Sequence, residues 1–424
     1  MKKFLVLGVL VFLAGSSFAK ISNVKVSGSL EVQSFSLNNA WDLADYENGT
    51  NDDKIDETRS RVLVGISAQV SEGVRGKILL SKNNRRYGEG SETVAGWGSA
   101  LNKVLVENAY LVIDDFIDIF KLTLGRQFYG EKGDLVLYYG PTSDDNLIVF
   151  ALDGLKAEAS VGPVGLCLIS GKVIENAWAV PSTDEDLVGI ILNTDDVLEG
   201  LNLSVYAYKD VDKSAGGIAN RDDLRVLGLK AGLEIPQVEG LKAKAEYAMN
   251  AGPDKSGATT VNYTGNALFL SASYNGLNVA GELGVSAEYA SGSGDDATTN
   301  DKNEAFIPIN PDLRYGEIWA NSLGNVGITD CSIMKAGVSW LPDFEERLSA
   351  KLCYLTFTEN EVTAGQKDDW GSEIDLKIGW EQSDSVSLEL ILAQLTPGDA
   401  LKNALGVTTD DPITKLSARL KVSF

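Results

Sequence analysis

Apart from its first segment, this chain of 424 residues repeats one pattern from end to end: stretches in which apolar and polar side chains take alternate positions. The stretches run for about 9 to 12 residues, the length a tilted strand needs to cross a bilayer. Asn202-Leu203-Ser204-Val205-Tyr206-Ala207-Tyr208 and Leu241-Lys242-Ala243-Lys244-Ala245-Glu246-Tyr247 are examples. The last stretch, Lys415 to Phe424, puts Leu416, Ala418, Leu420, Val422 and Phe424 on one face. Successive strand side chains point to opposite faces, so such a segment has one greasy and one wet side, and a 3.6-residue helical period cannot hold the pattern.

The connections alternate between short and long. Short turns fall at Ser71-Glu72-Gly73-Val74, Asp114-Asp115, Gly162-Pro163, Pro236 to Gly240, Asn275-Gly276-Leu277, Leu341-Pro342-Asp343 and Gln382-Ser383-Asp384. Long connections rich in Gly, Asn, Asp and Ser run from Asn38 to Glu57, Arg86 to Leu101, Glu131 to Asn146, Asp212 to Asn220, Ala251 to Tyr263, Ser291 to Asp330, Glu359 to Asp369 and Pro397 to Asp411. This predicts an all-β fold, a transmembrane antiparallel β-barrel of about 18 strands with short periplasmic turns and long extracellular loops. A barrel that wide is not filled by its own side chains and leaves a water channel. A secreted sandwich or β-helix would also alternate. Against it stand the strand length, the alternating loop lengths, and aromatics toward strand ends that suit two interfacial girdles: Tyr110, Phe128, Tyr129, Tyr247, Tyr289, Trp340, Trp370 and Trp380.

The first segment has a basic start, Met1-Lys2-Lys3, an apolar run from Phe4 to Leu13, and a small-residue cleavage pattern at Ser17-Phe18-Ala19. It reads as a signal peptide over residues 1–19, with the barrel over residues 20–424 and the bacterial outer membrane as destination. The apolar run is too short to span a bilayer as a helix. Sixty acidic residues against 37 basic ones give a formal charge of -23, which argues against nucleic acid as a partner. Cys167, Cys331 and Cys353 are too few and too scattered to form a disulfide framework. There is no histidine, so histidine-dependent catalytic triads are excluded and the usual metal ligand is missing. A carboxylate-only glycosidase needs a distinct acid pair, and none stands out; the chain reads as no enzyme.

Strand parity assigns charged side chains to the face opposite the apolar one, which in a barrel is the lumen. The inward basic set is Arg59, Arg61, Arg75, Lys77, Lys230, Lys242, Lys244, Lys335, Lys351, Arg419 and Lys421, and the facing acids are Glu234, Glu246, Glu282, Glu288, Glu373, Asp375 and Glu389. Basic groups are as prominent as acidic ones there although the whole chain is acidic, so the surplus of acid lies in the loops. The expected function is passive diffusion of small hydrophilic solutes, anionic or sugar-like, through a basic-lined lumen. The alternative is a structural or adhesive barrel whose acidic loops bind cations. No cofactor is expected apart from calcium or magnesium at loop pairs such as Asp295-Asp296 and Asp368-Asp369, shared with lipopolysaccharide phosphates. The proline-marked stretch Phe306 to Gly316 within the loop Ser291 to Asp330 is expected to fold over or into the mouth, with Arg314 a solute contact.

Three segments carry a resemblance: Val106-Glu107-Asn108-Ala109-Tyr110-Leu111, then Leu124-Gly125-Arg126-Gln127-Phe128-Tyr129-Gly130, then Leu152-Asp153-Gly154-Leu155-Lys156. This order resembles the alginate-export family of outer-membrane porins, over the first third of the chain. The resemblance implies a monomeric barrel of about 18 strands with an arginine-rich, anion-selective lumen, and it places Arg126 and Asp153 among the lumen residues. Phe424, closing an alternating strand, resembles the terminal signal read by the outer-membrane assembly machinery.

Overall fold

The computed structural model describes residues 21–41, 43, 53–87, 104–174, 184–212, 223–254, 260–296, 301–363 and 365–424. The expected signal peptide lies outside the described residues.

Eighteen antiparallel strands close into one barrel. They are β1 (Ser22–Asn38), β2 (Ile55–Ser71), β3 (Val74–Arg86), β4 (Leu105–Phe116), β5 (Phe120–Gln127), β6 (Leu152–Val161), β7 (Val164–Ile174), β8 (Glu185–Leu198) and β9 (Leu201–Asp212). The ring continues with β10 (Leu224–Glu234), β11 (Leu241–Ala251), β12 (Asn266–Asn278), β13 (Gly281–Gly292), β14 (Cys331–Pro342), β15 (Leu348–Glu359), β16 (Asp369–Ser383), β17 (Val386–Pro397) and β18 (Ile413–Ser423). Each strand pairs with the next in sequence, and β18 returns to β1 with Leu30 opposite Val422 and Leu37 opposite Lys415. Closure removes the edges that would otherwise expose unpaired backbone groups to lipid.

Two connections absent from the turn-and-loop reading complete the count. One follows Ile174; the other is the two-residue turn Glu199-Gly200, across which Leu198 pairs with Leu201. Gly200 has φ +78, and a Cβ there would meet the Glu234 carbonyl oxygen at 1.9 Å. A turn this tight between leucines leaves little composition signal.

The apolar rows face outward. Val24, Val26, Ile66, Ile78, Leu111, Val188, Leu229, Met334, Leu352, Leu392 and Leu416 are all exposed on the outer wall, where lipid replaces water. Tyr247 and Tyr289 share this face, as the girdle reading expected, but Tyr129 is buried inside the barrel and Tyr110 lines an inner recess. Trp370 packs near Trp319 of an inner segment, at 5.6 Å between ring centroids. These three belong to the interior because local side-chain direction, not nearness to a strand end, decides which face an aromatic joins.

The interior is partly filled by two connections that fold back into it. One is residues 128–151, between β5 and β6; the other is residues 306–328, between β13 and β14. They pair with each other: the amides of Ile309 and Asn310 donate to the Val136 carbonyl at 3.1 and 3.0 Å, and Tyr138 N donates to Asn310 O at 2.8 Å. Leu135, Val136, Leu137, Phe306, Ile318 and Ile328 are almost fully buried between them and the wall. Each such side chain contributes about 1.5–3 kcal/mol on burial, which favours the inward fold alongside its hydrogen bonds and ion pairs.

Candidate functional site

The first inner segment is shaped by its aspartates. Asp134 Oδ1 accepts from the amides of Val136 and Leu137 at 2.8 and 3.0 Å. Asp144 Oδ1 accepts from Leu147 N at 3.1 Å and from Thr142 Oγ1 at 2.8 Å. Short carboxylate side chains that bond to backbone a few residues on fold a loop locally. The remaining oxygens tie it to the wall. Asp134 Oδ2 holds Lys230 of β10, whose ammonium lies over the Tyr206 ring. Both oxygens of Asp145 accept from Lys415 of β18 at 2.8 Å, and each takes one further bond, Oδ1 from Gln33 at 2.6 Å and Oδ2 from Ser322 at 2.7 Å. Strands β10 and β18 are eight apart one way around the ring and ten the other, so this segment is a strap across the lumen.

The second segment is anchored beside it. Gly316–Ala320 forms a single wide helical turn, and the Glu373 carboxylate of β16 accepts from the amides of Ile318 and Trp319 at 2.7 and 2.9 Å. Gly316 has φ +83 and passes so close that a Cβ would lie 2.4 Å from Glu373 Oε2. Trp319 stacks on Phe357 of β15 at 4.7 Å. Glu317 meets Lys377, and Lys415 lies at 3.8 Å. Burial alone would raise the Glu317 carboxyl, but the two lysines outweigh it and hold it down at about 2. A buried, fully partnered carboxylate here acts as a peg for the segment.

Beside the strap, β18, β1 and β2 present a charged column. Arg61 Nη2 pairs with Glu31 Oε2 at 2.6 Å and its Nη1 donates to the carbonyls of Thr142 and Ile148. Arg419 Nη2 donates to Gln33 Oε1 at 2.8 Å and to the Ser143 carbonyl at 2.9 Å, with Glu31 at 3.4 Å from its Nε. Arg59 pairs with Glu57 at 2.6 Å and reaches Asn84 and Asn146. Lys132, on the strap, faces this column. Burial lowers its pKa; Asp312 opposes the shift, and Arg419 and Arg61 add to it.

The parity set is placed on the inward face: Arg59, Arg61, Arg75, Lys77, Lys230, Lys242, Lys244, Lys335, Lys351, Arg419 and Lys421 all occupy it by register with buried neighbours. Their roles divide. Arg59, Arg61, Lys230 and Arg419 each hold the strap, through Asn146, the Thr142 and Ile148 carbonyls, Asp134 and the Ser143 carbonyl, and Lys335 pairs with Glu288 at 2.7 Å. Lys242 pairs with Glu234 at 2.8 Å. Arg314 lies on the second inner segment, held by Asp312 and Asp144 at 3.1 and 3.4 Å.

Arg126 and Asp153 are corrected: both face outward. Arg126 sits opposite Ala109 and two residues from the exposed Leu124, while Thr123 and Gln127 take the inner face of β5. Arg126 pairs with Asp153 at 2.8 Å across β5 and β6, and Lys172 follows on β7 opposite Asp153. The pair lies at the long-loop end of β5, away from the middle of the wall, where an outward charge is least costly.

Sequence reading missed the strap residues Lys132, Asp134 and Asp145 and the wall residues Glu31, Gln33, Lys377 and Lys415. The acid-rich stretch Glu131 to Asn146 read as an external loop because its inward fold depends on ion-pair partners up to 270 residues away. Among the described residues, no cluster of three or more acids or cysteines is arranged to hold a metal ion. Asp295 instead accepts from Glu304 N, and Asp369 from Gly371 N.

No protein-family model and no curated protein matches this chain. The fold is similar to solved outer-membrane proteins at low identity. OpdK of Pseudomonas aeruginosa aligns with TM-score 0.61 and 12% identity over 94% of this chain and 99% of that one. OccAB1 of Acinetobacter baumannii aligns with TM-score 0.59 and 11% identity over 97% and 99%. OccK2 (OpdF) of P. aeruginosa, solved in complex with glucuronate, aligns with TM-score 0.58 and 12% identity over 95% and 97%, and OpdK has also been solved with vanillate. The chain has the 18-stranded fold of outer-membrane porins.

Proposed function

We propose that this protein is an outer-membrane channel for passive diffusion of small hydrophilic anions, with carboxylated sugars or aromatic acids as the substrate class. One observation carries the reading: the charge left over on the lumen side is positive. Among the described residues, the ammonium groups of Lys25, Lys77, Lys132, Lys244, Lys351 and Lys421 make no hydrogen bond or ion pair. The inward carboxylates are mostly engaged. Glu31, Glu158, Glu234, Glu246 and Glu288 meet cations, Glu107 is held by Ser81 and Asn83, and Glu373 and Asp375 are sealed beneath the second inner segment. Glu282 and Glu381 stand near the short turns, Glu381 on one level with Lys421 across Ser387, and two acids do not cancel the surplus of lysines. A narrowed, partly dehydrated passage with spare lysines concentrates anions and repels cations. The neighbours solved with glucuronate and vanillate support the same solute class. Alginate, suggested by the three-segment resemblance, is a polymer of that class.

Reversal potentials across planar bilayers in a salt gradient test this. Anion selectivity is expected, with current reduced by glucuronate; cation selectivity would remove the proposal. The packed inner segments favour one rival, a plugged barrel with a structural role, and purified protein that inserted but did not conduct would decide for it.

A further inference from the structure

On the turn side of the inner segments, the wall formed by β1 to β4 contains a recess of about 550 Å³. The chemistry of its lining follows from register. Lys25 lies opposite Ser67, Ser67 opposite Lys77, and Lys77 opposite Tyr110, so four neighbouring strands present Lys, Ser, Lys and Tyr at one level of the barrel. In the next row toward the turns, Arg75 is opposite Gln69. That row is already satisfied: the Arg75 guanidinium grips both oxygens of Asp114 at 2.7 and 2.9 Å, and Asn23 Nδ2 donates to Gln69 Oε1 at 3.0 Å.

The Lys25 and Lys77 ammoniums have no such partner among the described residues. Two strand spacings separate their backbones, about 10 Å in all. Lysine stems are long and carry three rotatable donors, so both ammoniums can converge on one group held between them. Ser67 and Tyr110 stand on the same level with hydroxyls to offer. A singly charged solute would leave one ammonium uncompensated, whereas a doubly charged one answers both.

We propose that this recess is a discrete binding site for a small divalent oxyanion, a phosphate or dicarboxylate group, held by Lys25 and Lys77 with Ser67 and Tyr110 as hydroxyl partners. It is separate from the strap and its arginine column. It forms a station on the periplasmic side of the narrowing, and it deepens the anion-channel reading by naming a dianion and a place for it.

Residue-resolved amine acylation of the full-length protein in detergent micelles tests the site, with inorganic phosphate as the probe. Phosphate should slow acylation of Lys25 and Lys77 by about tenfold at saturation, the scale of one charge-assisted contact. Chloride at equal ionic strength should not, and Lys244 and Lys351 serve as unpaired lumen controls. Equal protection of all four lysines, or none at all, would overturn the site. In bilayers, phosphate should inhibit chloride current in the parent protein and do so about tenfold less well in a Lys25→Gln, Lys77→Gln double variant. An unchanged inhibition constant in that variant would also overturn it. Loss of anion selectivity in the parent protein would instead strike the channel proposal, so the two failures are distinguishable.

Discussion

Lys415, on the last strand, and Asp145, in the connection after the fifth, form a doubly hydrogen-bonded ion pair at 2.8 Å, with the lysine side chain fully buried and the aspartate nearly so. The barrel wall is closed by backbone ladders, but its passage is set by side-chain ties such as this one. A buried pair is costly to break from one side, because the surviving charge is left without water or partner.

Lys415→Ala is therefore expected to destabilise the strap by about 3–5 kcal/mol while leaving the wall ladders intact. The readouts are single-channel conductance, which should rise, and heat-modifiable migration of the barrel on gels, which should persist. Unchanged conductance would mean that the strap does not limit flow.

Acid should loosen the second inner segment. The folded-state carboxyl of Glu317 is held at about 2, below its ordinary 4.5, so its ionised form is favoured by folding. Its contribution is fully present above pH 4.5 and is lost as pH falls from there toward 2. Protease cleavage within residues 306–328 should increase over that window, and Glu317→Gln should show increased cleavage already at neutral pH with a flatter acid response.

Gly28 and Phe424 set the closing seam. Gly28 N donates to Phe424 O at 2.8 Å, Phe424 N donates back at 3.0 Å, and a Cβ on Gly28 would stand 2.6 Å from the phenylalanine ring and 2.5 Å from the Leu63 carbonyl oxygen. Gly28→Val is expected to impair barrel closure, seen as loss of the folded, fast-migrating form on gels. In the Gly28→Val background, Phe424→Ala removes the contact with the ring but not that with the Leu63 carbonyl, so it should restore the folded form only in part.

The outward placement of Arg126 yields a contrast. Arg126→Ala should leave ion selectivity unchanged, because its charge faces away from the lumen and is paired with Asp153. Lys132→Ala, by contrast, should shift the reversal potential toward cations. A shift from Arg126→Ala as large as that from Lys132→Ala would contradict the outward orientation.

The wall of this protein was legible in its sequence. A period of two is a local property, so Leu416, Ala418 and Leu420 announce their face, and Arg419 and Lys421 the opposite one, without reference to any other strand. The inward placement of Arg126 and Asp153 followed from the family resemblance and not from parity: Leu122, Leu124 and Arg126 share one face of β5, and the structure turns that face outward. What the alternation could not determine is the lumen's contents. Whether Asp145 stays in an external loop or reaches Lys415, and whether Phe306 to Gly316 lies outside or within, depends on contacts between segments far apart in the chain. Those contacts exist only after the ring has closed and brought β10 and β18 to facing walls. Strand identity is written residue by residue, whereas the passage is decided by ion pairs and packing that only the closed barrel makes possible.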